Sequence, residues 1–126
     1  MLYLDCFSGA SGDMVLGALP VEHFGVLLLD AKHRVTRTST ISVGTLDASV
    51  VHPREVFRAA TSGAAAAIVV FHNHPSGDPT PSDDDVALTK RLIRAGDLMG
   101  ITVLDHVIVA ENGFISLREC GYLKSG

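Results

Sequence analysis

A short polar segment that directly follows an apolar run constrains this chain more than any other feature. The run AAAAIVVF covers Ala64–Phe71, and HNHPSGDPTPSDDD follows it from His72 to Asp85. An apolar run of this length, bounded by turn residues, predicts a buried strand. Alternate residues of a strand point to the same side, so we expect His72 and His74 to lie close together at its end. The prolines and glycine that follow predict a sharp return of the chain toward Asp85.

Asp85 has two interpretations that the sequence leaves open. Ser82 and Asp85 have the spacing of a capping box, and carboxylates in the first turn of a helix also complement its dipole. However, Asp85 heads the apolar row that continues through Leu88 and Leu92, which is the face a helix turns to the core. A carboxylate on that face is costly to bury without a partner. We therefore expect Asp85 to point at a metal ion, and the preceding acids to be solvated.

Together, His72, His74 and Asp85 offer two imidazole nitrogens and one carboxylate. A tetrahedral zinc ion held by three such groups keeps its fourth position for water, which is typical of catalytic zinc sites. We therefore expect Zn²⁺ as the cofactor, while iron and manganese stay open because ligand type alone separates them. The chain contains neither the His-Glu-x-x-His pattern of zincins nor the His-x-Glu and Pro-Cys-x-x-Cys pattern of zinc deaminases.

The order His-x-His, seven residues, Ser, two residues, Asp resembles the JAMM motif of the JAMM/MPN metalloprotease superfamily, with matches at His72, His74, Ser82 and Asp85. The wider chain, from about Glu22 to Tyr122, is similar to the C-terminal JAMM domain of bacterial RadC proteins. The segments that carry this likeness are HFGVLLLDAKHRV, SVGTLDASVVHPREVFRAA, HNHPSGDPTPS and ITVLDHVIV. The resemblance implies an α/β fold, in which helices cover a mixed β-sheet with the JAMM/MPN (cytidine deaminase-like) architecture. It also implies zinc-dependent hydrolysis of a peptide or isopeptide bond.

The same resemblance implies a catalytic glutamate on an early strand, and Glu22 opens the first strand that matches the family. Glu22 would act as the general base that takes a proton from metal-activated water; a surface charge at a strand end is the alternative. Ser82 is implied as the stabiliser of the oxyanion, with helix capping as the alternative. Asp105 and His106 also recur in the RadC-like segments, and we expect them to be a buried supporting pair rather than metal ligands.

The patterns divide the chain into a lead-in at residues 1–20 and a RadC-like JAMM/MPN domain at residues 21–126. The lead-in resembles the start of a family of nickel-insertion proteins, over too short a stretch to imply nickel chemistry. We expect it to form a strand, a glycine turn at Ser8–Gly12 and a short helix on the domain edge. In the domain, apolar periodicity and turn residues predict seven elements. The strands are His23–Asp30, Arg34–Val43, Ala64–Phe71, Ile101–Ala110 and Gly113–Leu117, and the helices are Pro53–Ser62 and Asp83–Met99.

Composition limits the partners and the compartment. A formal charge of −4 and the absence of tryptophan argue against direct nucleic-acid binding, which needs basic surfaces and often stacking platforms. The apolar runs are shorter than the roughly 20 residues that span a bilayer. The first residues lack a basic segment followed by a long apolar one, so we expect no signal peptide. Cys6 and Cys120 form no CxxC pair, which favours a reduced cytoplasmic setting.

We therefore expect an enzyme that acts on a peptide or protein. The exposed strand at Arg34–Val43 could also pair between two copies of the chain. Two functional alternatives stay open. One is an interaction module in which the metal only stabilises the loop, and the other is a DNA-repair-associated factor, as the RadC family label suggests.

Overall fold

A mixed β-sheet organises the part of the chain that the computed structural model describes, which is residues 2–7, 19–44 and 51–123. A short 3-10 helix at Leu2–Phe7 comes first. The remaining elements are β1 (Glu22–Leu29), β2 (Val35–Gly44), α1 (Pro53–Ser62), β3 (Ala67–Asn73), α2 (Asp83–Met99), β4 (Thr102–Ala110) and β5 (Gly113–Ser116). Among these residues, neither helix combines the length and apolar composition that crossing a membrane requires.

The strands lie in the order β2-β1-β3-β4-β5. Only β3 and β4 pair in parallel, and the other neighbouring strands in the described sheet are antiparallel. A parallel pair needs a crossover connection, which α2 supplies. Every residue of β3 is buried, because both faces of this central strand are covered, and its sequence accordingly lacks polar alternation. The predicted α/β fold, a mixed sheet covered by helices, is confirmed.

The two faces of the sheet form separate apolar cores. On one face, α1 and α2 pack through Val56, Phe57, Ala60, Leu88 and Leu92. On the other face, the 3-10 helix contributes Tyr3, Leu4 and Phe7. The rings of Phe7 and Phe71 lie 5.6 Å apart between their centroids, in a tilted arrangement. The start of α2 therefore lies on the first face of the sheet, opposite the 3-10 helix.

Two predicted elements differ from the structure. The strand expected at Ala64–Phe71 begins at Ala67 and continues to Asn73. Ala64 has a φ of 51° and belongs to the turn after α1, where its N–H donates to Thr61 O, so the first three residues cannot extend the strand. As a result, His72 lies inside β3 rather than after it.

The second difference lies in the lead-in. Leu2–Phe7 forms a 3-10 helix instead of a strand, and Tyr3, Leu4 and Phe7 are buried on the sheet rather than resting at its edge. The predicted glycine turn at Ser8–Gly12, and the helix expected after it, lie outside the described residues. The boundary between residues 1–20 and 21–126 stays a prediction.

Candidate metal centre

The end of β3 and the start of α2 bring three ligand-type side chains together. The Nε2 atoms of His72 and His74 are 2.9 Å apart. His72 Nε2 lies 3.3 Å from Asp85 Oδ1, and His74 Nε2 lies 3.3 Å from Asp85 Oδ2. Donor atoms on a tetrahedral zinc ion are separated by about 3.3 Å. The two separations between a histidine and Asp85, each to a different carboxylate oxygen, match this value. The separation between the histidines lies slightly inside it, so the arrangement could hold a metal ion.

Backbone geometry explains why Asp85 reaches this position. The Asp85 N–H donates to Ser82 Oγ at 3.1 Å, and the Ser82 N–H donates to Asp85 Oδ2 at 2.8 Å. These two bonds complete the capping box of α2. The same carboxylate faces both histidines and is only 5% exposed. The two interpretations of Asp85 are therefore compatible, because the cap orients the carboxylate toward the imidazoles.

His74 is held by β4 and by the loop that follows β3. Its backbone N–H donates to Val109 O at 2.8 Å, and its ring Nδ1 lies 3.0 Å from Asp78 O. A carbonyl oxygen can only accept a hydrogen bond, so His74 Nδ1 carries a proton. In the neutral ring, Nε2 then keeps its lone pair, with which it can bind a metal ion. Gly77 lets this loop turn tightly, with a φ of 90° that favours glycine.

The carboxylate and the imidazoles perturb one another electrostatically. Burial opposes ionisation of Asp85, but the hydrogen bonds that protonated His72 and His74 donate to it outweigh this effect and hold the pKa of Asp85 well below its usual range. The hydrogen bond with Asp85 raises the pKa of His74 against the effect of burial, and the charge of Glu22 adds a smaller upward contribution. An ionised carboxylate beside two imidazoles is a donor set suited to a divalent cation.

His106 supports His72 from within the core. Its Nε2 lies 2.8 Å from His72 Nδ1, and its Nδ1 lies 2.6 Å from Thr89 Oγ1. Desolvation, with a smaller contribution from the charge of His72, lowers the pKa of His106 well below its usual value. His106 is thus a neutral residue behind the ligand group, as expected for a supporting residue.

Asp105 occupies the opposite face of the sheet, so it does not form a pair with the His106 side chain. Its carboxylate accepts hydrogen bonds from the hydroxyls of Tyr3 and Ser116 and from the backbone N–H groups of His106 and Arg118. It is completely buried, and these donors compensate for its desolvation. Asp105 therefore stabilises the fold and does not reach the metal centre.

A cavity of about 440 Å³ opens beside the three ligand-type residues. Both predicted catalytic residues, Glu22 and Ser82, line it. Glu55, in the first turn of α1, does not line it. The remaining lining residues are Phe24, Val51, His72, His74, Pro75, Ser76, Asp84, Asp85 and Leu88. The structure thus brings every residue of the predicted site to one cavity.

The sequence interpretation overlooked three residues around this site. Thr89 links His106 to the backbone of Asp85, and its position four residues after Asp85 on one helix face was an available signal. The ring of Phe24 stacks on His72 with a centroid distance of 5.9 Å. Asn73 is completely buried and forms hydrogen bonds with the backbone at Val21 and His23.

Comparisons with known proteins agree with this architecture. A family model described as "RadC-like JAB domain" matches residues 10–122. Curated relatives include a UPF0758 protein of Listeria welshimeri, which is 57% identical over 80% of this chain and 45% of the relative. Another is a UPF0758 protein of Caldanaerobacter subterraneus, 55% identical over 82% of this chain and 45% of the relative. A third, from Bacillus cereus, is 52% identical over 83% of this chain and 47% of the relative.

This chain spans about half the length of these curated relatives. Their shared name, UPF0758, states no activity. The family model nevertheless covers most of this chain, and the mixed sheet with its two helices is the fold that the match implies. The chain belongs to the RadC-like JAB domain family.

Proposed function

We propose that this domain is a JAMM-type metallohydrolase that cleaves a peptide or isopeptide bond. The observation that carries the proposal is the convergence of His72, His74 and Asp85 in one cavity that is also lined by Glu22 and Ser82. Buried, partnered donor groups beside an open cavity are typical of catalytic metal sites. Zinc is the ion we propose, because two imidazoles and one carboxylate suit it.

In this proposal, His72, His74 and Asp85 hold the ion. A bound zinc ion would lower the pKa of water to near neutrality and polarise the scissile carbonyl. Glu22 takes the proton from the attacking water and delivers it to the amine nitrogen as the carbon–nitrogen bond breaks. The water oxygen remains on the carbonyl carbon, so the products are a carboxylate and a free amine.

Ser82 would stabilise the negative charge that develops on the carbonyl oxygen. Its oxygen accepts the capping bond from the Asp85 N–H, which leaves the single hydroxyl proton as a donor for the substrate. The cap also restricts where that hydroxyl can lie. Capping and catalysis therefore make compatible demands on Ser82.

The lining of the cavity favours a peptide over a nucleic acid. Glu22, Asp84 and Asp85 contribute carboxylates, while Phe24 and Leu88 contribute apolar surface. Carboxylates repel the phosphates of a nucleic acid, and the chain as a whole has a formal charge of −4. We therefore propose a peptide or protein as the substrate.

Metal content and peptide hydrolysis, measured on the same samples, test this proposal. The wild type should bind zinc at a one-to-one ratio and hydrolyse members of a mixed peptide and isopeptide library. Asp85→Asn keeps an oxygen acceptor for the Ser82 N–H but removes the charge, so it should lose both zinc and activity while α2 stays capped. Asp83→Asn removes an exposed charge from the same helical turn and should change neither. A wild type that binds no zinc, or that binds zinc without cleaving any library member, would refute the proposal that this domain is a metallohydrolase.

A further inference from the structure

A chain of buried polar groups connects the backbone of Asp85 to the ring of His72. The Thr89 hydroxyl lies 2.7 Å from Asp85 O and 2.6 Å from His106 Nδ1. His106 Nε2 lies 2.8 Å from His72 Nδ1. Thr89 and His106 are fully buried and His72 is 4% exposed. The path thus runs through the core, from one candidate ligand residue to another, without meeting the cavity.

The order of protons along this path follows from the group at its end. Asp85 O is a carbonyl oxygen and can only accept, while the Thr89 hydroxyl has one proton to donate. If Thr89 gave that proton to His106, two oxygen atoms would face each other at 2.7 Å with no proton between them. Thr89 therefore donates to Asp85 O, and its oxygen accepts the proton carried by His106 Nδ1.

The tautomer of His72 then follows. A second proton on His106 would place a cation in a fully buried position, where desolvation is costly. The neutral His106 ring has a proton on Nδ1 and a lone pair on Nε2, so it accepts a hydrogen bond from His72 Nδ1–H. In a neutral His72 ring, the lone pair then lies on Nε2, the atom that faces His74 and Asp85.

We propose that Thr89 and His106 are positioning residues that set the tautomer of His72, so that its Nε2 is ready to bind the metal ion. Metal-bound histidines usually donate their other N–H to a carboxylate, a carbonyl or water, which fixes the ring and its tautomer. Here the neutral ring of His106 accepts that hydrogen bond from His72, and Thr89 fixes the orientation of the His106 ring. The tautomer part stands on the hydrogen bonds and on the burial of His106, whereas the metal part rests on the proposed function.

The hydrogen bonds through Thr89 and His106, here called the relay, also couple the positions of two of the three ligand residues. Thr89 lies one helical turn after Asp85 and is anchored to its carbonyl, so movement of α2 along β4 would shift His106 and then His72. Loss of the Thr89 hydroxyl leaves His106 Nδ1–H without its acceptor in the core, which frees the ring to rotate or change tautomer. The expected effect is weaker zinc binding with the donor atoms themselves unchanged.

Nitrogen-15 NMR of the histidine rings, in the zinc-free protein at pH 8, tests the tautomer directly. The wild type should show His72 protonated on Nδ1 and His106 protonated on Nδ1. His72 protonated on Nε2 alone would overturn the proposal. Because this measurement uses the wild type, it tests the tautomer of His72 even if a variant does not fold. It requires neither zinc binding nor hydrolysis.

Chelator competition then tests the effect on the metal. Thr89→Val keeps the shape of the side chain and removes its hydroxyl, and it should lower zinc affinity about 10- to 100-fold. Thr89→Ser retains the hydroxyl and should keep the wild-type affinity and tautomer. Equal affinity in folded Thr89→Val and in the wild type would overturn the positioning role. A wild type that binds zinc without cleaving peptides would refute the proposed hydrolase and leave this inference intact.

Discussion

The carboxamide of Asn73 holds the backbone on both sides of Glu22. Its Oδ1 accepts a hydrogen bond from the His23 N–H, and its Nδ2 donates to Val21 O at 2.9 Å. Asn73 lies between His72 and His74 in the chain, so one buried amide connects the ligand strand to the backbone of the proposed base. The Asn73 side chain thereby fixes the position of Glu22 relative to the metal centre through these backbone contacts.

Replacing Asn73 should separate metal binding from hydrolysis. Asn73→Asp keeps the acceptor for the His23 N–H but leaves Val21 O without its donor. A buried carboxylate then faces this carbonyl oxygen, which should lower the free energy of unfolding by at least about 1–3 kcal/mol. We expect kcat to fall at least tenfold, because a shift of about 1 Å in a catalytic group is enough. Zinc content should stay at the wild-type level. Urea unfolding, elemental analysis and steady-state kinetics measure the three quantities.

An exposed asparagine supplies the control for this substitution. Asn112 lies in the turn between β4 and β5 and is exposed, so Asn112→Asp makes the same chemical change without breaking a buried contact. It should leave kcat and stability near the wild type. An Asn73→Asp protein that is destabilised but keeps full kcat would mean that Asn73 serves the fold alone.

Glu22→Gln should retain zinc and lose hydrolysis. The amide has nearly the shape of the carboxylate but cannot accept the proton of the attacking water, and a general base contributes about 10²–10⁴-fold to rate. Glu55→Gln is the matched control, because Glu55 does not line the cavity and its contact with Arg58 is an exposed ion pair of 3.6 Å. Loss of zinc in Glu22→Gln, or an unchanged kcat, would contradict the role of general base.

The candidate ligand set was predictable because local rules place it. The strand alternation that aligns His72 with His74 and the capping box that orients Asp85 each depend on residues close in sequence. The helix bounds and the α/β class follow from the same kind of local pattern. The polar residues at the start of α2 could therefore be interpreted without knowing the sheet order.

Local rules did not predict that His106 faces the candidate metal centre while Asp105 faces the opposite side of the sheet. The register of β3 against β4 shifts between Ile68 and Val69, where Val69 pairs with Asp105 rather than with the preceding residue. This bulge reverses the alternation along β4 and turns His106 toward α2 and Asp105 toward Tyr3. A one-residue shift changes the face of every later side chain, and the sequence of β4 alone does not reveal it. The 3-10 helix at the start of the chain was missed for a related reason, since its burial depends on the far face of the sheet.

Two substitutions at Ser82 should distinguish capping from catalysis. Ser82→Ala removes the hydroxyl and the cap, and should cost about 1 kcal/mol in unfolding free energy. Ser82→Gly also removes the hydroxyl but costs only a few tenths of a kcal/mol, because glycine is tolerated at this position. If Ser82 stabilises the oxyanion, both variants should lose about 10²–10³-fold in kcat. If activity instead follows stability, and is high in Ser82→Gly and low in Ser82→Ala, Ser82 serves only as the helix cap.

The raised pKa of Tyr3 should make the stability of the folded protein fall as the solution becomes alkaline. Burial, followed by the charge of Asp105 and the hydrogen bond to it, raises the pKa of the Tyr3 phenol well above its usual value of 10.0. Above pH 10 the unfolded chain has therefore lost this proton while the folded chain still holds it. Stability is fully present below pH 10 and falls as pH rises further, by at most about 1.4 kcal/mol per pH unit for a single proton.

Tyr3→Phe isolates this contribution. The variant lacks the 3.0 Å hydrogen bond to the buried Asp105 carboxylate, so it should be less stable than the wild type by about 1.5–3 kcal/mol at pH 8. It also has no phenol to ionise at this position, so the difference should narrow between pH 10 and pH 11. Tyr122→Phe, at a position that is 44% exposed, is the control and should track the wild type at pH 8. Urea unfolding at the three pH values measures these differences, and a constant gap between Tyr3→Phe and the wild type would show that Tyr3 ionises equally in the folded and unfolded chains.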